Sequence, residues 1–364
     1  MLPGMPEMLQ LLEQMVMMES PSFNKQLVDR FGRFVAERFT EIKGSAEFIP
    51  VEKFGDHLLV RFGDSRQAPV MLLGHLDTVF PEGEIQKRPF RIDGNRAMGP
   101  GVFDMKGGIL LMWLVLQTLG QAHSVTVLLN SDEEIGSNSS RALIEKEARR
   151  AKAVLVLEPS LPGGVLKTAR KGVGHFIVKA IGRAAHAGID PSRGINAIEE
   201  IAHQIVKLQK MSAPVSGTTV TVGVVQGGTR SNVVPAEAAV EVDVRVSSLE
   251  EAARITEAIR ALNPELTGSR LEVRGGINRP PMERTADTAR LFDIARSVAA
   301  GMGMTLGEGS TGGGSDGNFT SALGVPTLDG LGPIGDGAHA VDEFIEIATL
   351  QQRANLLKGL IERL

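Results

Sequence analysis

PVMLLGHLD (69–77), KGGILLMWLVLQTLG (106–120), SVTVLLNSDEE (124–134), SSRALIEKEARR (139–150) and KAVLVLEPS (152–160) follow one another in the chain, and their alternation decides the fold. The first, third and fifth are apolar runs of strand length, and the two between them carry helical patterns. Buried strands separated by helices imply an α/β domain with a largely parallel sheet covered on both faces. The pattern changes at Gly163 and Gly164. From there the chain predicts a strand over 174–182, a helix over 195–210, strands over 218–225 and 236–246, a helix over 249–262 and a strand over 270–274. That βαββαβ order is ferredoxin-like. After Gly275 and Gly276 the first style returns, with a helix near 286–300, a glycine run at 312–314, a strand near 325–331 and a last helix from about 343. The expected organisation is one α/β domain in two parts, 1–168 and 278–364, interrupted by a small inserted domain over 169–277. The glycine-rich segment 307–317 reads as a loop packed near ligand rather than as a tether.

With 364 residues, two domains are a better expectation than one core. Apolar residues at 42% and charged residues at 23% are ordinary globular values and argue against disorder and against a membrane protein. No apolar run is read as long enough to span a bilayer. Glu7 and Glu13 interrupt the N-terminal apolar stretch, which reads as an amphipathic first helix and not as a secretory signal, so a cytoplasmic location is expected. Thirty-nine basic against 43 acidic residues, a net charge of −4, provide no broad positive field for nucleic acid. Cysteine is absent, so any metal must be held by nitrogen and oxygen.

The three strand-length runs end in His75 with Asp77, in Glu133 with Glu134, and in Glu158. Carboxyl ends of strands in open α/β sheets converge on the ligand crevice, which brings these groups together across long sequence separations. Clustered carboxylates repel one another and are costly to desolvate unless something positive sits among them. GPGVFDMKGG (99–108) adds Asp104 in a loop opening a helix, and GDGAHAVDEF (335–344) adds His339 in a loop opening the last helix. Three carboxylates and two imidazoles suit zinc better than magnesium or calcium, and one shared carboxylate can bridge two ions. Singly, each element also has a structural explanation: a histidine satisfied at a strand end, or an acidic pair complementing a helix N-terminus. Their joint occurrence at loop positions favours the metal site.

The blocks GHLDTVFP (74–81), GPGVFDMKGG, SDEEIGS (131–137), LEPS (157–160), GRAAHAG (182–188), SNVVPAEAAVEVDVR (231–245), GGGSDGNF (312–319) and GAHAVDEF (337–344) closely resemble the M20 metallopeptidases, and within them the carboxypeptidase G2-like, or glutamate carboxypeptidase, branch. The resemblance runs from about residue 70 to the end. It implies a zinc-peptidase-like catalytic domain interrupted by a dimerisation or lid domain, and a homodimer formed through the insert. It further implies two zinc ions per subunit, one held by His75 and Glu158, the other by Glu134 and His339, with Asp104 bridging them. Cobalt or manganese could take the place of zinc. Glu133, bound to neither ion, is then the general base, Asp77 orients the His75 imidazole, and the Asp104–Met105 peptide is cis.

In the inserted domain the resemblance implies that His186 reaches the partner's active site and stabilises the oxyanion. Asn232 and Arg245 have family counterparts that contact substrate. A guanidinium at Arg245 can grip a terminal carboxylate through two parallel hydrogen bonds, which favours a carboxypeptidase over an aminopeptidase; its alternative is a strand arginine paired with Asp243 or Glu241. Arg279 and Gly314 are further substrate-binding candidates. His57, His123, His175 and His203 are given no role. The implied substrate is a small peptide or N-acyl amino acid, with the amide beside a C-terminal residue such as glutamate. A deacylase or dipeptidase of the same family is the alternative, and a non-catalytic metal or amino-acid binding protein on this fold is the rival from another class. Glu158 leans toward the peptidases, because acylase-like relatives often carry Asp there.

Overall fold

Every residue of the strand Val70–His75 is buried, as an unbroken apolar run requires of a strand covered on both faces. In the computed structural model, which describes residues 3–64 and 66–364, this strand pairs in parallel with Val125–Asn130 on one side and Ala153–Val156 on the other. Thr327–Leu328 adds a further parallel strand beside Ala153–Val156, shorter than the 325–331 expected. At the opposite edge His57–Phe62 and Ser45–Ile49 extend the sheet antiparallel, an edge with no counterpart in the expectations above. Alternation along each strand divides the core between the two faces. Leu72, Val127, Leu129 and Leu155 pack with the helices Met5–Val16, Lys25–Glu41, Gly107–Leu119 and Leu350–Arg363. Met71, Leu73, Leu128, Val154 and Val156 pack with Ile144, Ala148 and Phe319 on the other face.

The helix Gly107–Leu119 is apolar on nearly all sides because it is enclosed on nearly all sides. By length and composition Val102–Leu119 does reach the threshold for a membrane span, contrary to expectation, yet 83% of it is buried in this unit. Two segments near the C-terminus also differ from expectation. The last helix begins at Leu350, not near 343, because Phe344–Glu346 pairs as a strand with Arg96–Met98. Within the glycine-rich segment, Glu308–Thr311 forms a two-stranded ladder with Leu166–Arg170, so the loop is shorter than 307–317.

Arg353, on the last helix, is fully buried, and its hydrogen-bond acceptors are the carbonyls of Gly332 at 2.9 Å, Gly164 at 3.1 Å and Gly330 at 2.5 Å. Burial lowers its pKa to about 10. The Gly332 amide in turn donates to the Glu158 carbonyl at 2.9 Å, so this cation braces the chain behind Glu158. Arg353→Met keeps volume but strands three carbonyls, each costing about 1–3 kcal/mol when left unpaired. A non-additive loss of roughly 3–5 kcal/mol is expected, read as a lower urea midpoint at unchanged slope. A loss below about 1 kcal/mol would mean that water satisfies the carbonyls.

The chain divides into two compact units, Met1–Ala169 with Arg284–Ser310 and Ser315–Leu364, and Arg170–Glu283 with Thr311–Gly314. The second unit is a four-stranded antiparallel sheet ordered Thr219–Gly227, Glu237–Val246, Gly172–Ile181, Arg270–Arg279. The last of these strands runs five residues beyond the expected 270–274. Phe176, Val178, Val240, Val242 and Val244 on one sheet face meet Ile201, Ile255 and Ile259 of the two helices. Those helices start where capping side chains satisfy free amides. Asn196 accepts from Ile198 and Glu199 before Ala197–Gln209, and Ser248 accepts from Glu251 before Leu249–Arg260.

Candidate metal centre

His75 closes its strand, Glu133 and Glu134 follow Val125–Asn130, and Glu158 follows Ala153–Val156. These three strands are parallel neighbours, so all four residues emerge at one edge of the sheet. Asp104 reaches the same place from the turn before Gly107, and its peptide bond to Met105 is cis. His339 arrives in a turn between the strands Gly335–Asp336 and Phe344–Glu346, at φ 65°. That left-handed conformation is uncommon for a residue with a side chain and is the kind of local strain that surrounding structure must hold.

Five side chains meet here in two groups of three that share Asp104: His75, Asp104 and Glu158, and Asp104, Glu134 and His339. The His75 Nε2 lies 3.1 Å from Asp104 Oδ1 and 3.5 Å from Glu158 Oε1. The His339 Nε2 lies 3.3 Å from Asp104 Oδ2 and 3.1 Å from Glu134 Oε2. Each oxygen of Asp104 therefore serves a different group. Within a group the candidate ligand atoms all lie within 4.8 Å of one another.

Asp77 does more than face His75. The nearest partner of His75 Nδ1 is the Asp77 carbonyl at 2.9 Å, with the carboxylate at 3.5 Å. A carbonyl can only accept, so Nδ1 carries a proton and Nε2 turns toward Asp104 and Glu158. The Asp77 carboxylate accepts from Ser22 Oγ at 2.7 Å and from the amides of Glu133 and Glu134 at 3.2 and 3.3 Å. One carboxylate thus ties the His75 strand to the turn bearing both glutamates.

Charge at the site is unbalanced toward the negative. Asp104 and Glu134 raise His339 to about 11. Burial opposes protonation of His75, but Asp104, Asp77 and Glu158 outweigh it and raise its pKa well above the ordinary value. Burial pushes Glu134 up. Although burial also opposes ionisation of Asp104, the two imidazoles hold it well below the usual carboxylate range. Glu134 Oε1 is buried without a hydrogen-bond partner among the described residues. An orphaned carboxylate oxygen beside two imidazoles and two further carboxylates fits a pair of divalent cations with nitrogen and oxygen preference.

Protons and cations compete for this site, and the sign follows from the raised histidines. The stabilisation that protonated His339 contributes to the metal-free fold is complete below the unfolded value of about 6.5 and lost as pH climbs through about 11. Metal affinity is therefore expected to rise with pH across that window, with about two protons released on loading at pH 7. Calorimetry of zinc binding in buffers of different ionisation enthalpy measures the number, and a value of zero would contradict this charge balance.

Four groups around the site lie outside the sequence expectations. Glu343, buried, accepts from the amides of Gly101 at 2.8 Å, Phe103 at 2.8 Å and Asp104 at 2.9 Å, and so fixes the loop that presents Asp104. Burial outweighs those donors and raises its pKa to about 7. Asp316 accepts from Asn130 and Ser137, both at 2.5 Å. Asp132 accepts from the Ser139 and Ser140 hydroxyls at 2.7 and 2.6 Å. His57, one of the histidines given no role, joins this buried network: its Nδ1 accepts from the Ser131 amide and its Nε2 lies 3.3 Å from Ser139 Oγ. Asp316, Asp132 and His57 together brace the segment on which Glu133 and Glu134 sit.

The remaining candidates belong to the second unit. His186 bridges antiparallel to Val233, and the Ala187 amide donates to the Asn232 carbonyl at 3.0 Å, so His186 and Asn232 are neighbours. His186 Nδ1 accepts from the Gly188 amide at 3.1 Å, which leaves the proton of the neutral ring on Nε2, where it can be donated. Arg245 grips Asp243 through two bonds of 2.9 Å and reaches the Gly312 carbonyl at 3.4 Å. Its fork is thus engaged by the strand partner anticipated above as an alternative. A Cβ at Gly314 would lie 2.9 Å from Arg279 Cδ, so glycine allows the close approach of loop and arginine there. Arg170 holds the loop by donating to the Gly313 and Gly314 carbonyls at 3.2 Å.

Residues 71–363 match the family described as Peptidase family M20/M25/M40. Carboxypeptidase G2 of Pseudomonas sp. is 30% identical over 98% of this chain and 89% of its own length. A succinyl-diaminopimelate desuccinylase of Xanthomonas oryzae pv. oryzae is also 30% identical, over 82% of this chain and 84% of its own. The aminopeptidase PepT of Bacillus cereus shares the fold at a TM-score of 0.81 and 22% identity, covering 99% of this chain and 98% of its own. An M20 family metallo-carboxypeptidase of Sulfolobus solfataricus shares it at 0.76 and 16%, covering 98% of each chain. With two candidate metal-ligand groups sharing one carboxylate at the strand ends, and with the family match running from Met71 almost to the C-terminus, the chain belongs to the M20 peptidases and is an enzyme of the peptidase and amidohydrolase type.

Proposed function

We propose that the protein is a two-zinc hydrolase that cleaves the amide preceding a C-terminal amino acid, glutamate being the first candidate. The observation that carries this is Asp104, whose two oxygens face different histidines and so join the two ligand groups. His75, Asp104 and Glu158 would hold one ion, and Asp104, Glu134 and His339 the other. Bound zinc supplies a strong electrophile and lowers the pKa of water at the site. Glu133 takes the proton of the attacking water and returns it to the leaving amine. His186 donates its Nε2 proton to the carbonyl oxygen as negative charge develops there. Asn232, the remaining donor capacity of Arg245, Arg279 and the amides near Gly314 would hold the substrate carboxylate.

We place His186 in the site of a second subunit. The strand Thr219–Gly227 is a sheet edge carrying exposed Val224 and Val225, and Ile198 and Val206 are exposed on the adjoining helix. An open apolar edge of this kind pairs readily with a copy of itself. Mixing a Glu133→Gln chain with a His186→Ala chain is expected to recover part of the activity that each lacks alone; no recovery would confine His186 to its own subunit. A cytoplasmic location belongs to the same proposal.

The 30% identity to a succinyl-diaminopimelate desuccinylase favours a second specificity, N-acyl amino acid deacylation at the same centre. N-blocked dipeptides and N-acyl amino acids that differ only in the C-terminal residue, assayed with zinc and with chelator, separate the two. Preference for blocked dipeptides with acidic ends supports the carboxypeptidase, and preference for short acyl groups supports the deacylase. Turnover that survives complete metal removal would refute both.

A further inference from the structure

Of the two imidazoles at the metal centre, only one is held by the sheet. His75 closes a buried strand and its side chain is 1% exposed, whereas the His339 side chain is 51% exposed and stands on a surface turn. That turn joins the strands Gly335–Asp336 and Phe344–Glu346, and among the described residues its internal backbone bonding is a single hydrogen bond, from the Ala340 amide to the Gly337 carbonyl at 2.8 Å. His339 nevertheless adopts φ 65°, a conformation that persists in a residue with a side chain only where neighbouring groups enforce it. The restraint has to come from outside the turn.

Arg88 supplies it. Its Nη1 donates to the Val341 carbonyl at 2.8 Å and to the Ala340 carbonyl at 3.3 Å, on the two residues that follow His339. Among the described residues, no other side chain from outside the turn hydrogen-bonds its backbone. The guanidinium is itself fixed from two further directions, since Nε donates to Glu84 Oε1 at 2.7 Å and Cζ lies 4.7 Å from the centre of the Phe80 ring. Its backbone is fixed as well. Glu19 accepts from the Gly83 and Ile85 amides at 3.0 and 2.9 Å, which pins the single helical turn Glu84–Lys87, and Pro89 ends that turn and leaves Arg88 at φ −133°. A planar fork can meet two carbonyls, a carboxylate and a ring face at once, which a lysine ammonium cannot.

We propose that Arg88 is a positioning residue of the metal centre, clamping the exposed turn so that His339 Nε2 stays on Glu134 and Asp104. The proposal rests on the two-metal reading above and adds the residue on which one of the two ligand groups depends. Asp104 is anchored by Glu343 and the Glu134 amide by Asp77, so loss of Arg88 loosens His339 alone. The group of His75, Asp104 and Glu158 contains no residue of the turn. Partners behind a metal ligand commonly account for about 10- to 100-fold of the affinity.

The test compares the full-length wild type with Arg88→Met, which keeps the stem and removes the fork, and with Arg88→Lys, which keeps the charge and part of the donor capacity. Zinc titration of the metal-free proteins under a competing chelator should show, in Arg88→Met, one ion bound as tightly as in the wild type and the other about 10- to 100-fold more weakly. Arg88→Lys should recover part of that loss, because an ammonium can still donate to the Val341 carbonyl. Amide hydrogen exchange of the metal-free proteins is read in parallel, and in Arg88→Met the segment 336–342 should exchange faster while 70–77 keeps its wild-type rate. Weakening of both ions alike, with both segments loosened, would make Arg88 a general support of the fold and overturn the proposal. Unchanged exchange over 336–342, or two ions bound by Arg88→Met with wild-type affinity, would overturn it equally. A wild type that takes up fewer than two ions, with 336–342 loosened in the variant, would uphold the clamp and sink the two-metal reading.

Discussion

Replacing Glu133 with glutamine is expected to lower kcat by about 10²- to 10⁴-fold while both metal ions stay bound. Glu133 and Glu134 are adjacent on one short turn, yet they differ in environment. Glu134 lies 3.1 Å from His339 and belongs to a three-donor group, whereas Glu133 belongs to neither group. A carboxylate beside a metal centre but outside its ligand set can exchange protons, which a ligand neutralised by a cation cannot do. The amides of both residues are anchored on Asp77, and glutamine has the shape of glutamate, so the turn itself should not move. Metal content after dialysis, read beside steady-state kinetics, separates the roles: Glu133→Gln should keep two ions and an unchanged KM, and Glu134→Gln should lose one. Near-normal turnover in Glu133→Gln would remove this residue from the chemistry.

The elements most legible in the sequence are those whose apolar runs have one explanation. A strand buried on both faces leaves polar residues only at its ends, so HLD, SDEE and LEPS fall at one sheet edge by their pattern alone. The inserted unit is equally legible, because the alternation of Phe176, Val178 and Ala180, or of Val240, Val242 and Val244, survives only on a sheet with one covered face. What escapes depends on long-range partners. Glu343 looks like the start of a helix, and the chain becomes a strand there instead, its carboxylate committed to three amides some 240 residues earlier in the sequence. Arg353 has an ordinary position in an amphipathic helix, and only the fold turns three carbonyls toward it. His57 has no motif around it, and its partners come from a segment more than 70 residues away. Arg245 leaves two alternatives in the sequence, and the structure displays the pairing with Asp243.

Asp104→Ala is expected to remove both metal ions at once and with them essentially all activity, an effect that no other single ligand substitution should match. The reason lies in the sharing of donors. His75 and Glu158 contribute to one group, Glu134 and His339 to the other, and Asp104 to both through separate oxygens. His339→Ala or Glu158→Ala takes one donor from one group and leaves the second with all three. Asp104→Ala leaves each with two, below the three protein ligands usual for a catalytic zinc. It also removes the central negative charge that, with its neighbours, holds both imidazoles' pKa values high, so the proton release on loading should shrink together with the affinity. Titration with zinc under a competing chelator is the measurement. Wild type should take up two ions, His339→Ala and Glu158→Ala at least one with high affinity, and Asp104→Ala none in that range. Asparagine is the sharper companion variant, since it keeps the shape and one oxygen while discarding the charge. If Asp104→Asn still bound two ions tightly, the bridge would be a matter of geometry alone; if it bound none, charge neutralisation between the two cations is what Asp104 supplies. The loop itself should hold in either variant, because Glu343 anchors it through backbone amides that neither substitution alters.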